Sequence, residues 1–175
     1  MLTQARLKEL LDYDPDTGIF RWRVRPRSDF ATLNAHGTWN TRYAGRQAGV
    51  DAGHGYWKIR IDNRGHYAHR LAWLYMIGEY PANLIDHINR NGLDNRLANL
   101  RCADRSGNMA NTGAHRNNKL GVRGVCRLPS GKYLVQCGPA GAPDRYVGVF
   151  SSLQEAGLAF EEASIRRYGE FARSV

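Results

Sequence analysis

The stretch that decides the fold is residues 84–108, which read LIDHINRNGLDNRLANLRCADRSGN. A short apolar segment (LIDHI) is followed by a loop rich in Asn and Gly, a second apolar segment (ANLRCA) and a helical-looking segment (DRSGNMAN). Asp86 and His87 are adjacent in the first segment, and Asn99 and Asn108 follow it. Carboxylate and amide oxygens are hard ligands that suit a divalent cation, and an imidazole is suited to general acid–base chemistry.

This stretch resembles the HNH endonuclease motif. Members of that family often read Asp-His-Ile-Asn-Gly before the loop and Asn-Arg-Leu-x-Asn-Leu-Arg after it, and this chain has DHINR and NRLANLR at those places. Arg90 stands where many members have Gly or Asp. The segments DYDPDTGIFRW (12–22), HRLAW (69–73) and GEYP (78–81) also look like phage-type members, so the resemblance covers most of residues 1–111. It implies a strand hairpin and a helix that clamp one divalent metal.

The resemblance assigns a role to each residue of the constellation. A neutral imidazole can accept a proton near pH 7, and His87 is therefore the predicted general base. Asp86 and Asn108 are the predicted ligands of Mg²⁺ or another divalent cation such as Mn²⁺, which takes few hard oxygen ligands from protein. Asn99, by the same resemblance, hydrogen-bonds across the hairpin and holds His87 in place.

Each residue also has a structural interpretation. Asp86 and His87 suit a turn entry, Asn99 a strand end, and Asn108 a helix surface in a region where Asn is abundant. His66 and His69 lie near a predicted strand end without Cys or carboxylate partners nearby, which favours packing over metal binding. The three cysteines are too few and too scattered for a disulfide framework.

The charge balance indicates a polyanionic partner. The 175 residues include 25 Lys+Arg and 16 Asp+Glu, a net charge of +9, and basic residues interleave with aromatic ones, which is typical of nucleic-acid binding. No apolar run is long enough for a membrane span and no secretory signal is visible, so we expect a bacterial cytoplasmic protein. The predicted DNA-binding residues are Arg90, Arg101, Arg105, Arg123, Arg127, Lys132, Tyr133 and Arg145.

The C-terminal part has a resemblance of its own. GVRGVCRLPSGKYLVQC, RYVGVF and SLQEAGLAFEEAS resemble the DNA-binding domain of plant ethylene-response transcription factors, in which a three-stranded antiparallel sheet packs on one helix and lies in the major groove. Cys126 and Gly138 stand where those domains usually have arginines, which removes two expected base contacts. The alternative is a packing domain without a DNA role.

These segments predict an α+β chain of two modules. A ββα-metal nuclease domain spans 1–111 with its motif core at 84–111, a linker spans 112–120, and the sheet-plus-helix domain spans 121–175. Residues 25–45 lack clear periodicity and are predicted to form a long loop, either a DNA-contacting arm or a mobile segment.

The predicted function is metal-dependent, homing-type cleavage of double-stranded DNA by a phage or mobile-element protein without a small-molecule cofactor. Two alternatives remain open at this point. One is a non-catalytic DNA-binding regulator with a decayed nuclease core, and the other is a structural RNA-binding protein indifferent to Mg²⁺.

Overall fold

The structure is a computed structural model that describes residues 2–114, 117–139 and 141–172. The chain divides into two compact units, Met1–Cys102 and Ala103–Val175, each considered by itself below. Residues 115 and 116 of the predicted linker lie outside the described residues. The domain boundaries predicted at residues 111 and 121 stay a prediction. The mixture of helices and small antiparallel sheets is compatible with the predicted α+β class.

The first unit begins with a helix and a hairpin. Helix α1 (Gln4–Leu10) starts behind Thr3, whose Oγ1 accepts a hydrogen bond from the backbone N–H of Arg6 at 3.2 Å. Strands β1 (Leu11–Asp14) and β2 (Ile19–Trp22) pair antiparallel across the turn-rich DPDTG segment. Their inward residues join the main core of this unit.

The prediction of a long loop at residues 25–45 was wrong. This segment forms a 3₁₀ turn (Arg27–Asp29) and helix α2 (Leu33–Tyr43). No residue of α2 is buried, and the helix contains Asn, Thr and Gly, which have weak helix propensity. Its contacts to the rest of the unit are aromatic stacking and polar bonds instead of an aliphatic stripe, so the hydrophobic period is absent from the sequence.

A three-stranded antiparallel sheet follows, with β3 (Val50–Asp51), β4 (Trp57–Ile61) and β5 (Arg64–Tyr67) in the order β3-β4-β5. Asp62 and Asn63 form the two-residue turn between β4 and β5 with φ of 45° and 62°, as a type I′ turn requires. Helix α3 (Ala68–Ile77) continues directly from β5 and packs Leu71 into the core.

Strands β6 (Leu84–His87) and β7 (Leu100–Ala103) form a two-stranded sheet, and a 3₁₀ turn (Leu97–Asn99) leads into β7. In the second unit, helix α4 (Arg105–Ala110) starts behind Asp104, whose side chain accepts from the N–H of Gly107 at 2.7 Å. These elements carry the quoted stretch and occur in the order that its pattern predicts.

The rest of the second unit is an antiparallel sheet on one helix. Strands β8 (Val125–Arg127), β9 (Tyr133–Gln136) and β10 (Tyr146–Phe150) pair in the order β10-β9-β8, and helix α5 (Leu153–Tyr168) covers one face. Ser152 caps α5 in a reciprocal capping box with Glu155. The three strands and the helix were all predicted. Across the described residues, no helix combines the length and the apolarity that crossing a membrane demands.

Candidate active site

Asp86 and His87 are the last two residues of strand β6, and each residue is buried, with 5% of its surface exposed. Successive strand residues point to opposite faces, so the two groups meet different neighbours. Asp86 meets the guanidinium of Arg101, whereas His87 meets an amide and a group of aromatic rings. One strand end therefore presents an acid and an imidazole in separate surroundings.

The imidazole of His87 is oriented by Asn95. Nε2 of His87 lies 3.4 Å from Oδ1 of Asn95, and Nδ2 of Asn95 donates to the carbonyl oxygen of Leu93 at 3.1 Å. The second bond fixes which way the amide points, so its oxygen faces the imidazole. This arrangement fits the tautomer in which Nε2 carries the hydrogen and Nδ1 carries the lone pair of the ring.

The loop that carries Asn95 is held by the N-terminal hairpin. The hydroxyl of Tyr13 donates to the carbonyl oxygen of Asn95 at 2.7 Å, and the N–H of Leu97 donates to the carbonyl oxygen of Pro15 at 3.1 Å. Gly18 has φ of +72°, and a Cβ there would lie 2.4 Å from the backbone nitrogen of Arg96. The hairpin can approach the loop this closely only with glycine at position 18.

Two aromatic rings pack against His87. The ring of His69, from the first turn of α3, lies edge-on to it with 5.1 Å between centroids, and the ring of Tyr56 lies at 5.9 Å. Tyr67 stacks on His69 at 5.6 Å and 11°. Nδ1 of His69 is buried and has no hydrogen-bond partner among the described residues. His69 thus packs against an imidazole, as the packing interpretation predicts.

Burial keeps both imidazoles neutral at pH 7. Burial lowers the pKa of His87, although its bond to Asn95 and the nearby charge of Asp86 act in the opposite direction. Burial, with smaller contributions from His87 and Arg70, lowers the pKa of His69 to about 4. His87 is therefore in the form that accepts a proton.

Asp86 forms a buried ion pair with Arg101. Nε and Nη2 of Arg101 lie 2.9 and 2.8 Å from Oδ2 of Asp86, and the two side chains are 15% and 6% exposed. Arg101 was predicted to bind DNA, but in this structure its guanidinium contacts the predicted metal ligand. Any cation at Asp86 would share the carboxylate with this guanidinium.

Asn99 organises the loop between β6 and β7. Its Oδ1 accepts from the N–H of Asn89 at 2.9 Å, and its Nδ2 donates to Oδ1 of Asn89 and to the carbonyl oxygen of Asp94 at 2.9 and 2.8 Å. The N–H of Ile88 donates to the carbonyl oxygen of Asn99 at 2.9 Å. Asn99 bonds across the hairpin, and the amide that contacts the imidazole belongs to Asn95.

The loop, the imidazole and the helix that follows fall within one recognised segment. Residues 66–110 match the family model of HNH endonucleases. This HNH segment comprises 45 of the 175 residues and runs from β5 to the end of α4, so it contains His69, His87, Asn95 and Asn108. No curated protein and no solved structure matches the chain.

The HNH segment provides a sparse set of donors for a divalent cation. Asp86 offers a carboxylate, and Asn108 lies half-buried on α4 in the second unit. Among the described residues, no cluster of three or more His, Cys, Asp or Glu side chains is suited to hold a metal. Magnesium is commonly bound through one or two carboxylates together with substrate phosphates and water, and the carboxylate of Asp86 fits that chemistry.

The predicted DNA-binding side chains differ in what they contact. Nη1 of Arg123 donates to the carbonyl oxygens of Ala110 and Thr112 at 2.6 and 3.1 Å, at the end of α4. Tyr133 packs against the core of the second unit, and Arg145 is half-buried. Exposed side chains are found at Arg90, Arg105, Arg127 and Lys132.

The sequence interpretation did not place Asn95 and His69 beside His87, although both lie in segments that carry the resemblance to HNH endonucleases. Asn95 lies in the NRLANLR segment, but spacing cannot select it from the other asparagines. His69 is in HRLAW, where the strand of the hairpin turns into α3 and so brings this ring beside His87.

Proposed function

We propose that this chain is a metal-dependent DNA endonuclease that hydrolyses phosphodiester bonds with His87 as general base. The observation that carries this proposal is the buried imidazole of His87, oriented by Asn95 and next to Asp86 within the HNH segment. A lone buried histidine is commonly a packing residue, whereas here the imidazole has an amide partner on one nitrogen and an acid beside it in sequence.

The contacts of His87 and Asp86 support the roles we propose. The imidazole of His87 would accept the proton of an attacking water, while Asn95 orients the ring and stabilises it once it is charged. Asp86 and Asn108 would hold the cation, which when bound would neutralise charge on the scissile phosphate and the departing oxygen. Arg101 balances the charge of Asp86 and supplies a second positive group near the phosphate.

We propose double-stranded DNA as the substrate and a homing-type, phage-derived or mobile-element origin. The net charge of +9 supports a polyanionic substrate. The sheet of β8, β9 and β10 on α5 supports the likeness to ethylene-response DNA-binding domains, in which such a sheet enters the major groove. Under this proposal, Arg127 and Lys132 are the exposed cations of the module that contact DNA.

A non-catalytic DNA-binding protein is the second candidate, and the ion pair of Asp86 with Arg101 favours it. The carboxylate already has a cationic partner at 2.8 Å inside a buried site. If that pair persists on DNA, the chain binds DNA without hydrolysing it.

Incubation of full-length protein with supercoiled plasmid separates the two candidates. With Mg²⁺ we expect nicked or linear DNA, and none with EDTA. His87→Ala should lose about 10²–10⁴-fold in rate. His54→Ala is the matched control, since His54 is an exposed histidine of the same unit, and it should cleave like the parent. Binding without nicking by the parent would support the regulator, and equal cleavage by His87→Ala would remove His87 from the mechanism.

A further inference from the structure

Helix α2 has a continuous solvent-exposed face that the proposed catalytic residues do not use. Its half-buried residues, His36, Trp39, Asn40 and Tyr43, recur at helical spacing and attach the helix to the rest of the unit. The opposite side is exposed and borders a shallow open groove. We call it the α2 face, and it consists of Leu33, Asn34, Gly37, Thr38, Thr41 and Arg42, with Arg46 just beyond the helix.

The anchored side holds α2 in a defined position. The ring of Trp39 lies 5.4 Å from that of Trp22 and 5.9 Å from that of Phe30. Nδ2 of Asn40 donates to the carbonyl oxygen of Arg25 at 3.1 Å, and Oδ1 of Asn40 accepts from the N–H of Arg25 at 2.8 Å. The α2 face is therefore presented on a fixed element and not on a mobile loop.

The charge around the α2 face is positive. From Phe30 to Val50 the sequence contains no Asp or Glu, while Arg42 and Arg46 lie along the groove. Just before this stretch, Asp29 is paired with Arg6 and Arg25, each at 2.9 Å. Such a surface attracts a polyanion.

The side chains of the α2 face match the edges of bases. Amides pair with adenine, hydroxyls serve as donor or acceptor, an apolar side chain contacts the methyl group of thymine, and arginine contacts guanine or phosphate. On the α2 face the amide is that of Asn34, a hydroxyl is that of Thr38, the apolar side chain is Leu33 and the arginine is Arg42. The 11 residues of α2 span about 16 Å, and the major groove of B-DNA admits a helix.

Gly37 lies in the middle of this face without a structural need for glycine. A Cβ built there meets nothing within 4 Å, and its φ lies outside the positive range. Glycine weakens a helix interior relative to alanine, so the fold gains nothing from it. A missing side chain at the centre of the face lets the helix backbone approach a partner closely.

We infer that the α2 face docks in the major groove of duplex DNA and contributes to site preference. This inference rests on the proposed function, since it takes the substrate to be DNA. It makes α2 a second recognition element, distinct from the C-terminal sheet, and assigns a role to residues 33–46.

The test uses full-length protein and fluorescence anisotropy with labelled B-form duplexes of two base compositions, over a range of salt concentrations. Gly37→Gln fills the close-approach position, and Gly37→Ala is its control for helix propensity. Arg42→Ala removes a cation from the face. Arg23→Ala removes the same charge from an arginine that lies 3.6 Å from Asp12.

We expect Gly37→Gln to bind DNA about tenfold more weakly than the parent while its thermal midpoint stays equal or rises. Gly37→Ala should keep more affinity than Gly37→Gln. Arg42→Ala should lower the slope of log affinity against log salt by about 1, and Arg23→Ala should change it less. The preference between the two duplexes should diminish in Gly37→Gln.

The outcomes separate the two proposals. If the parent nicks plasmid but Gly37→Gln and Arg42→Ala bind DNA as tightly as the parent, the proposed role of α2 is wrong and the proposed function stands. Equal losses on duplex RNA also overturn it, because the deep, narrow major groove of A-form RNA does not admit a helix. A parent protein that binds no DNA overturns both.

Discussion

Replacing His69 with phenylalanine tests the buried imidazole pair through stability. His69 is 9% exposed, stacks on Tyr67 and lies edge-on to His87. Phenylalanine keeps an aromatic ring there but removes the nitrogen that has no partner among the described residues. The variant should be at least as stable as the parent at pH 7, since a buried polar atom without a partner costs free energy and the substitution removes the one at this position.

The magnitude follows from the pKa of His69, which burial lowers from 6.5 to about 4. Between these values the unfolded chain binds a proton that the native state does not, so the free energy of unfolding falls as the pH falls. The contribution is fully present above pH 6.5 and declines by about 1.4 kcal/mol per pH unit below it, to a total of about 3 kcal/mol.

Urea denaturation at pH 7, 6 and 5 measures this contribution. All four tryptophans (Trp22, Trp39, Trp57 and Trp73) lie in the first unit, so their fluorescence reports the unfolding of the unit that holds His69. The parent should lose stability relative to His69→Phe as the pH falls. His54→Gln, which removes an exposed imidazole, should follow the parent. Parallel curves for parent and His69→Phe from pH 7 to pH 5 would refute the argument.

Three further predictions concern the proposed metal ligands, the amide of Asn95 that orients His87, and Arg123 of the second unit. Asp86→Ala and Asn108→Ala should both lose plasmid cleavage, and raised Mg²⁺ should rescue Asn108→Ala better because the carboxylate carries the charge that binds the cation; equal rescue in a Mg²⁺ titration would contradict these roles. Asn95→Ala should lower kcat with little change in KM, since the amide orients His87 and does not contact substrate; a raised KM alone in steady-state kinetics would count against it. Arg123→Ala should lower the free energy of unfolding of the second unit by about 1.5–3 kcal/mol, because the bonds of Arg123 to two carbonyl oxygens are lost. Lys132 is exposed, and Lys132→Ala should lower the slope of log affinity for DNA against log salt by about 0.9. If Arg123→Ala lowers the salt slope and Lys132→Ala lowers the stability, Arg123 is a DNA contact after all.

Local signals were sufficient for most elements. The Asp62-Asn63 turn and the capping box of Ser152 with Glu155 are determined by neighbours in sequence. Helix α2 was missed because its stability comes from distant partners: Trp39 packs on Trp22, and Asn40 bonds to Arg25. Such contacts leave no period in the sequence.

The sequence predicted which types of residue form the candidate site, but only some of the contacts between them. Asn95 and Asn99 are four residues apart in one asparagine-rich loop, and both are buried. The backbone of Asn95 accepts a bond from Tyr13, far away in sequence, while Asn99 bonds within its own loop. Because a hairpin more than 70 residues upstream fixes which amide faces the imidazole, no local spacing rule could select Asn95.

The contact of Arg101, a charged residue, could not be predicted from the local sequence either. Its position after NRLANL suggests an arginine available to DNA, yet β7 places it against Asp86 on β6 at 2.8 Å. A buried carboxylate that loses its cationic partner is strongly disfavoured, so Arg101 would leave Asp86 only when another positive charge replaces it. Asp86 together with a phosphate would hold a divalent cation that supplies such a charge, and the guanidinium of Arg101 would then be available to the phosphate. The ion pair that favours a non-catalytic protein in isolation is thus also compatible with a nuclease whose acid is neutralised until substrate and cation bind together.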